Sequence, residues 1–353
     1  MNTLVLEPFA YGRKYSLYSS MSRDPIVQDN STCITRSASD IFDSAISGVE
    51  RHEPIDCLDA IALVVPYGGD VFTRSLVATP ELLRQFDRIA SDAPLHLPLI
   101  QELANRILQE IPCVPLVLTF DTAFFSQLEQ REHMYALPQE EPRVRRFGYQ
   151  GLYHEAACRH VRRRQDHKSR DNLRRVISIC LAPTSETTAV LGMRPLTVTG
   201  GATPLEGLLG ETSCGELDPS IVLTLAEKKQ WGAEKINDVL TRQSGIKGLT
   251  GTHTPLPALY QSNEESFSLA RRILEYRLLK SCGAAIAALG GLDAVVFSGP
   301  YASLWEELGT WLISRLKLRN AESVDIDFFS ETKSRIIADI AEAIITRETQ
   351  MAG

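Results

Sequence analysis

Short apolar runs along the chain alternate with segments that have helical spacing. Continuous apolar residues predict buried strands at 60–65, 114–120 and 294–298. Apolar residues spaced three and four apart predict helices at 103–111, 264–290 and 331–347. Such an alternation of strands and helices is typical of an α/β fold.

Weaker patterns predict the remaining elements. Two strands, at 3–7 and 13–18, flank a turn that contains Gly12, and the polar stretch 22–40 is expected to be a loop. Further strands are expected at 175–181, 187–191 and 322–328, and further helices at 40–52, 154–164, 220–242 and 302–317. A loop rich in Gly, Thr and Pro is expected at 199–219.

Polar or flexible residues follow several of the predicted buried strands. Asp121 follows the strand at 114–120, Gly68 lies just after the strand at 60–65, and Gly299 ends the strand at 294–298. In α/β proteins, ligands bind at the carboxyl ends of the strands. These positions are therefore the first candidates for a functional site.

Composition and charge narrow the class of protein. The chain has 353 residues, of which 44% are hydrophobic and 23% charged, with a formal net charge of -7. The negative charge argues against a general nucleic-acid or membrane-surface binder. No apolar run approaches the roughly 20 residues that span a bilayer, and no signal-peptide pattern is expected at the N-terminus.

Two further features bear on location and partners. The seven cysteines are scattered without a C-x-x-C pair, which predicts buried thiols in a reducing, cytoplasmic compartment. The basic stretch 159–175 contains eight Lys and Arg residues. It is interpreted as a solvated helix end and loop. Contact with an acidic partner or nucleic acid is the alternative, although no aromatic residues are interleaved to stack on bases.

Several motifs together resemble one enzyme family. Phe120-Asp-Thr-Ala-Phe124 followed by Tyr135-Ala-Leu-Pro138 resembles FDTAF…YALP of acetate and propionate kinases. Arg145-Arg-Phe-Gly-Tyr-Gln-Gly-Leu-Tyr-His154 resembles RRYGFHGTSH, and Thr203-Pro-Leu-Glu-Gly207 with Gly215-Glu-Leu-Asp-Pro219 resembles TPLEG…GDIDP. Because order and spacing hold over about residues 1–340, the chain is identified as a divergent member of this family.

The resemblance implies a fold and a reaction. The expected architecture is the two-domain, actin-like fold of acetate and sugar kinases, with an interdomain cleft. Residues 1–120 and 331–353 would form the first domain, and 121–330 the nucleotide-side and dimerisation domain. Family members transfer the γ-phosphoryl group of ATP, with Mg²⁺, to a short carboxylate and form an acyl phosphate, usually as homodimers.

The site residues implied by the resemblance are largely replaced. Asp121 stands at the family's catalytic aspartate, although a turn or helix-capping role is the alternative. Gln150 replaces the transition-state histidine, Ser213 replaces one arginine, and the second arginine, which precedes VVHGG, has no counterpart near Ala62. His154 matches the second histidine and is expected to pack or to orient a loop. Losing a transition-state donor or cation lowers a phosphoryl-transfer rate by roughly 10²–10⁵.

The phosphate loops implied by the resemblance are altered as well. Residues 7–12, 180–184 and 299–303 replace N-x-G-S-S-S, HLGNG and GGIGEN. Proline removes a backbone donor and bulky side chains fill space where glycine lets N–H groups approach a phosphate. Lys14, Thr184 and Gly299 remain as nucleotide-binding candidates.

The metal site implied by the resemblance is altered as well. Glu7 replaces an asparagine near the metal, and with Asp121 it could form a carboxylate pair that holds Mg²⁺. The alternative is that Glu7 merely ends an edge strand in solvent. The family's late acidic metal position falls near Lys333-Ser334, which carries no acid.

These replacements favour a catalytically impaired protein with a scaffold or regulatory role. The first alternative is an active, divergent acetate or propionate kinase that obtains cations from Arg13 or Arg194. The second is a small-molecule sensor that uses the same cleft. A homodimer without nucleic acid or membrane partners is expected in each case.

Overall fold

The computed structural model describes residues 1–8, 15–29, 37–93, 96–138, 144–164, 174–316 and 324–352. The chain divides into two compact units. The first unit comprises Met1–Ser126 and Glu331–Gly353, and the second comprises Gln127–Ser330. The boundary falls after Ser126, so Asp121 lies in the first unit. The nucleotide-side and dimerisation roles assigned to the domains remain predictions.

The first unit contains a six-stranded mixed sheet in the order β3-β2-β1-β4-β6-β5. The strands are β1 (Asn2–Leu6), β2 (Tyr15–Ser19), β3 (Val27–Asp29), β4 (Ala60–Val65), β5 (Leu76–Val77) and β6 (Leu116–Phe120). β1, β4 and β6 run parallel. Their carboxyl ends therefore meet at one edge of the sheet, where both predicted carboxylates lie.

Three helices of the first unit follow from capping and apolar spacing. They are α1 (Ala38–Glu50), α2 (Pro80–Leu83) and α3 (Leu97–Glu110). Ser37 caps α1, because its side chain accepts a hydrogen bond from the backbone N–H of Asp40. α3 buries Leu97, Ile100, Leu103, Ala104 and Ile107, the spacing of a single helical face.

The second unit contains a five-stranded sheet in the order β11-β10-β7-β8-β9. The strands are β7 (Arg175–Cys180), β8 (Glu186–Leu191), β9 (Arg194–Val198), β10 (Ala294–Ser298) and β11 (Asp325–Phe328). β10 runs parallel to both β7 and β11, whereas β7, β8 and β9 are antiparallel. The ends of β7 and β10 thus lie side by side.

The second unit contains seven α-helices within the described residues. They are α4 (Gln130–His133), α5 (Gly151–Arg163), α6 (Pro219–Lys229), α7 (Ala233–Arg242), α8 (Gly245–Thr250), α9 (Glu265–Leu289) and α10 (Trp305–Leu316). α5 contacts β7 and β10, and α9 contacts β7, β8 and β9. α9 ends at Gly290, whose positive φ of 69° is the left-handed C-cap conformation that glycine favours.

The last helix, α11 (Lys333–Ala352), returns to the first unit. Its side chains Ile336, Ile337, Ala338 and Ala341 are buried. α11 packs on β1, β4 and β6, which brings its first turn to the edge where those parallel strands end.

Most predicted elements are present, with four corrections. The expected loop 22–40 contains β3 and the start of α1, and the stretch 220–242, expected to be helical, is divided into two helices at Gln230 and Gly232. β9 was not predicted, because Pro195 interrupts its pattern; an edge strand tolerates proline. The cysteines are not all buried thiols, since Cys57 and Cys113 are exposed.

Some predictions fall on segments outside the described residues. These include the turn at Gly12, Lys14, Arg13 and the middle of the basic stretch, 165–173. Within the described residues, all six cysteines are free thiols. In the same part of the chain, no helix is both long and apolar enough to cross a membrane.

Candidate active site

Asp121 lies directly after β6 in the first unit. Its backbone N–H donates to the carbonyl oxygen of Val65 at 3.0 Å, which extends the pairing of β4 and β6 by one residue. The rings of Phe72 and of the preceding residue, Phe120, stack with their centroids 4.7 Å apart. Asp121 is only 3% exposed. A carboxylate buried to this extent needs a cationic or hydrogen-bonding partner.

That partner comes from the first turn of α11. The Nζ of Lys333 lies 2.6 Å from Oδ2 of Asp121 and donates a hydrogen bond to it. The next residue, Ser334, donates from its hydroxyl to Oε1 of Glu7, also at 2.6 Å. The family resemblance predicts the late metal position near Lys333 and Ser334, but no sequence pattern indicates that both residues bond the two carboxylates.

Glu7 is not at an exposed edge. β1, which precedes it, lies inside the sheet between β2 and β4, and Glu7 is 6% exposed. The interpretation of Glu7 as the solvated end of an edge strand is therefore wrong. Glu7 and Asp121 are linked instead through two consecutive residues of α11.

In the first unit, the carboxylates of Glu7 and Asp121 are the candidate ligands for Mg²⁺. This ion requires near-octahedral oxygen ligands at roughly 2.0–2.1 Å and tolerates little distortion. Among the described residues, no group of three or more His, Cys, Asp or Glu side chains is arranged to hold a metal ion. The Lys333 ammonium group bonds an oxygen of Asp121 that the metal would need. The residues present do not fit Mg²⁺.

Gln150 lies at the N-terminus of α5 in the second unit. Its side-chain amide donates to the carbonyl oxygen of Thr184 at 3.2 Å, so these two candidates meet. Its backbone N–H donates to Oε1 of Glu186 at 3.0 Å, and that of Tyr149 donates to Oε2 at 2.9 Å. A carboxylate is favourable beside amide donors at a helix N-terminus.

Glu186 was missed by sequence analysis, and it also lies beside His154. The His154 ring is 0% exposed; its Nδ1 is 2.8 Å from the Ser178 hydroxyl and its Nε2 is 3.4 Å from Oε1 of Glu186. A ring enclosed in this way packs and orients its surroundings. The only sequence signal for Glu186 was an acid opening a buried strand.

Ser213 is buried within the loop that follows β9. Its carbonyl oxygen accepts from the N–H of Gly210 at 3.0 Å, and its neighbour Thr212 accepts from the N–H of Ser244 at 2.9 Å. Ser213 brings no charge, and these bonds hold its backbone within the second unit.

The segments 180–184 and 299–303 bond each other at the ends of β7 and β10. The N–H of Leu181 donates to Ser298 at 2.8 Å, and the N–H of Tyr301 donates to Leu181 at 3.1 Å. Gly299 has a φ of 90°, and a Cβ there would lie 2.9 Å from the Cys180 sulfur. Gly299 is therefore required by close packing at this junction.

Tyr301 also makes a side-chain bond that sequence analysis missed. Its hydroxyl donates to Oε1 of Glu211 at 2.7 Å, and the backbone N–H of Leu256 donates to the same oxygen at 3.0 Å. Burial, followed by the bond to Glu211, raises the pKa of Tyr301 above its ordinary value. The phenol therefore stays neutral and donates to the carboxylate.

The motif residues that match the family build a structural network. Tyr135 donates to Glu206, and Arg146 donates to the same carboxylate at 2.7 Å. Arg146 also donates to the carbonyl oxygens of Thr199 and Gly200. Their role in the second unit is to fix the loop after β9.

Of the two alternative sources of cations, only Arg194 lies among the described residues. Arg194 is paired with Glu129, and Arg13 lies outside the described residues. At the ends of the basic stretch, Arg164 pairs with Asp327 at 2.8 Å and Arg175 with Asp293 at 2.5 Å. These two charges are thus balanced within the second unit.

Comparison with solved structures defines the class of protein. Porphyromonas gingivalis acetate kinase matches with a TM-score of 0.85 and 22% identity, covering 98% of this chain and 99% of that chain. At this identity the likeness shows the fold, a two-domain α/β kinase fold of the actin-like type. The predicted fold class is confirmed.

Comparison of sequences gives the family. The model of the acetokinase family matches residues 27–317. Acetate kinases of Shewanella frigidimarina and Rhodopseudomonas palustris are 33% and 36% identical over 71% and 72% of this chain. The chain belongs to the acetokinase family, as its motifs predicted. The aligned stretch spans only 64% of the length of each of these two relatives.

Proposed function

We propose that this chain is an acetokinase-family protein in which phosphoryl transfer is lost or severely reduced. Its role is then non-catalytic, in pairing with or regulating an active acyl-phosphate enzyme. The family reaction, which forms an acyl phosphate from ATP and a short-chain carboxylate, requires positive charge and amide donors around the migrating group.

The observation that carries this proposal is that Tyr301, in segment 299–303, hydrogen-bonds to other residues of the second unit. A phosphate-binding loop directs its N–H groups at the anion. Here the N–H of Tyr301 donates to Leu181, and its hydroxyl donates to Glu211. Tyr301 thus directs its N–H and hydroxyl groups at acceptors of the second unit, and it lies beside a carboxylate, which repels phosphate.

Two replaced side chains support the same conclusion. Gln150 carries no charge, and its amide group donates to Thr184. Ser213 is uncharged and buried in its own loop. Each loss of a transition-state cation or donor lowers the rate by roughly 10²–10⁵. ATP and Mg²⁺ are then not expected as cofactors.

A homodimer in a reducing, cytoplasmic compartment completes the proposal. Exposed apolar side chains on helices of the second unit support association, namely Ile221, Leu223, Leu269 and Tyr276. The free thiols support a reducing compartment. Light scattering of the purified chain tests the dimer directly.

Activity is tested by incubating the purified chain with Mg-ATP and acetate or propionate and trapping the acyl phosphate. The Asp121→Asn variant, purified in parallel, reveals any contaminating host kinase. Equal background turnover in both preparations is expected. Turnover that the variant abolishes would overturn the proposal in favour of an active, divergent kinase.

Ligand binding separates the remaining alternatives. Thermal shift with ATP is expected to show no stabilisation of the full chain. A screen of small carboxylates and phosphates addresses the sensor hypothesis, because a ligand that binds only the native state raises the melting temperature. A strong hit without turnover would replace the scaffold role with that of a sensor.

A further inference from the structure

The first turn of α11 presents a cation and a hydroxyl to two buried carboxylates. Lys333 bonds Asp121 at the end of β6, and Ser334 bonds Glu7 at the end of β1, each at 2.6 Å. All four residues belong to the first unit. The side chain of Lys333 is 15% exposed, so its ammonium group is largely removed from solvent.

A lysine at this place is unfavourable for the helix itself. The N-terminus of a helix carries partial positive charge and prefers acidic side chains. α11 begins at Lys333 and has no acidic residue in its first turn. The carboxylate of Asp121 offsets this repulsion. The presence of Lys333 is therefore explained by its pairing with Asp121 and not by a contribution to helix formation.

The ammonium group and a divalent ion would compete for the same oxygen. A carboxylate oxygen binds Mg²⁺ at roughly 2.0–2.1 Å, and the ion needs further oxygen ligands around it. Oδ2 of Asp121 already bonds a cationic nitrogen at 2.6 Å. A second cation at that oxygen would be repelled at short range in a poorly solvated site.

We propose that the ammonium group of Lys333 is a built-in cation that replaces the divalent metal ion at Asp121, so that this site excludes Mg²⁺. Lys333 is then the residue that decides whether the carboxylates of Glu7 and Asp121 bind a metal. The inference concerns metal binding and does not depend on whether the chain transfers phosphoryl groups.

Metal binding by the full chain is the direct test. Mn²⁺ is used as the probe, and its free concentration is followed by electron paramagnetic resonance. The native chain and Asp121→Asn are expected to give the same titration. Binding by the native chain that Asp121→Asn abolishes would overturn the proposal, whatever the result of the kinase assay.

The converse test adds an acid at the decisive position. Lys333→Glu is expected to gain metal binding and to melt about 5 °C higher in about 10 mM Mg²⁺ than without it. Adding Asp121→Asn to this variant should remove the gain. Lys229→Glu changes charge equally on exposed α6 and should not respond to Mg²⁺.

A second variant covers the possibility that Lys333→Glu does not fold without metal. Lys333→Gln removes the ammonium group and adds no carboxylate, so Mg²⁺ should raise its melting temperature, by less than in Lys333→Glu. If neither variant responds to Mg²⁺ or Mn²⁺, the proposal is wrong. Phosphoryl transfer by the native chain without any metal would overturn the proposed function and leave this inference standing.

Discussion

The Nζ of Lys333 lies 2.6 Å from Oδ2 of Asp121, although 212 residues separate them in sequence. The bond ties the returning helix α11 to the end of β6. Two further bonds support the same junction, from Ser334 to Glu7 at 2.6 Å and between Tyr18 and Thr332 at 3.2 Å. Polar contacts thus hold the start of α11 against the ends of β1 and β6, at the position where the family resemblance predicts a metal site.

Lys333→Met is expected to lower the free energy of unfolding of the first unit by about 3–5 kcal/mol, because it removes a cation that bonds a buried carboxylate. Hydrogen exchange of β6 and α11, followed by mass spectrometry, measures the loss. The three tryptophans, Trp231, Trp305 and Trp311, lie in the second unit and report whether that unit is affected.

A double variant sharpens this prediction. Adding Asp121→Asn removes the buried negative charge, so the double variant should be more stable than Lys333→Met alone. Lys229→Met on exposed α6 serves as the matched control. A loss in Lys333→Met no larger than in this control would contradict a stabilising role for the ion pair.

Glu186→Gln is expected to destabilise the second unit by about 1.5–3 kcal/mol, because hydrogen bonds to a charged acceptor are stronger than neutral ones. The carboxylate accepts from the N–H groups of Tyr149 and Gln150, and an amide offers only one oxygen to them. Tryptophan fluorescence during urea unfolding measures the change.

The matched control for Glu186→Gln lies on α5, the helix whose N-terminus Glu186 bonds. Glu155→Gln removes an i,i+4 pair with the 60%-exposed Arg159, and such pairs contribute about 0.3–0.5 kcal/mol. Equal effects of the two variants would mean that Glu186 is no more than a surface charge.

Native alkylation should divide the cysteines into two groups. Burial raises the pKa of Cys158 and Cys282 to about 12, whereas Cys57 and Cys113 are exposed. The thiolate is the reactive form, and a pKa of about 12 makes it very scarce near pH 8 in the buried pair. Iodoacetamide labelling with mass spectrometry should modify Cys57 and Cys113 first, and denaturant should abolish the difference. Early labelling of Cys158 would contradict its burial.

Sequence predicted the buried strands well because continuous apolar runs leave little ambiguity. β4 and β10 match their predicted bounds, 60–65 and 294–298. β9 was missed because Pro195 and exposed positions weaken its pattern at the sheet edge. The break between α6 and α7 was missed because Gln230, which adopts a positive φ of 55°, is not a usual signal for a left-handed turn.

The candidate site was predicted only in part, since sequence names residues and not their partners. Asp121 could be placed at a strand end from the apolar run before it. Its bond to Lys333 depends on the packing of α11, which no local pattern encodes. The same holds for Tyr301 and Glu211, which are 90 residues apart.

Alkaline pH should weaken the contribution of Tyr135 to stability. Burial, followed by its hydrogen bond to Glu206, raises the pKa of Tyr135 from 10.0 to about 12. Between these values the unfolded chain loses the phenolic proton while the folded chain keeps it, so stability falls as pH rises. The stabilisation by this hydroxyl is fully present below about pH 10 and is lost as pH rises through about 12.

Comparison with Tyr135→Phe isolates this effect, because the variant keeps the ring and removes the titrating group. The native chain should melt higher than the variant near neutral pH, and the difference should narrow steadily from pH 10 upward. Calorimetry at a series of pH values measures it. Tyr276→Phe, at an exposed position on α9, provides the control. A difference that stays constant from neutral to alkaline pH would mean that the pKa of Tyr135 is not raised by folding, and that its bond to Glu206 does not hold the phenol neutral.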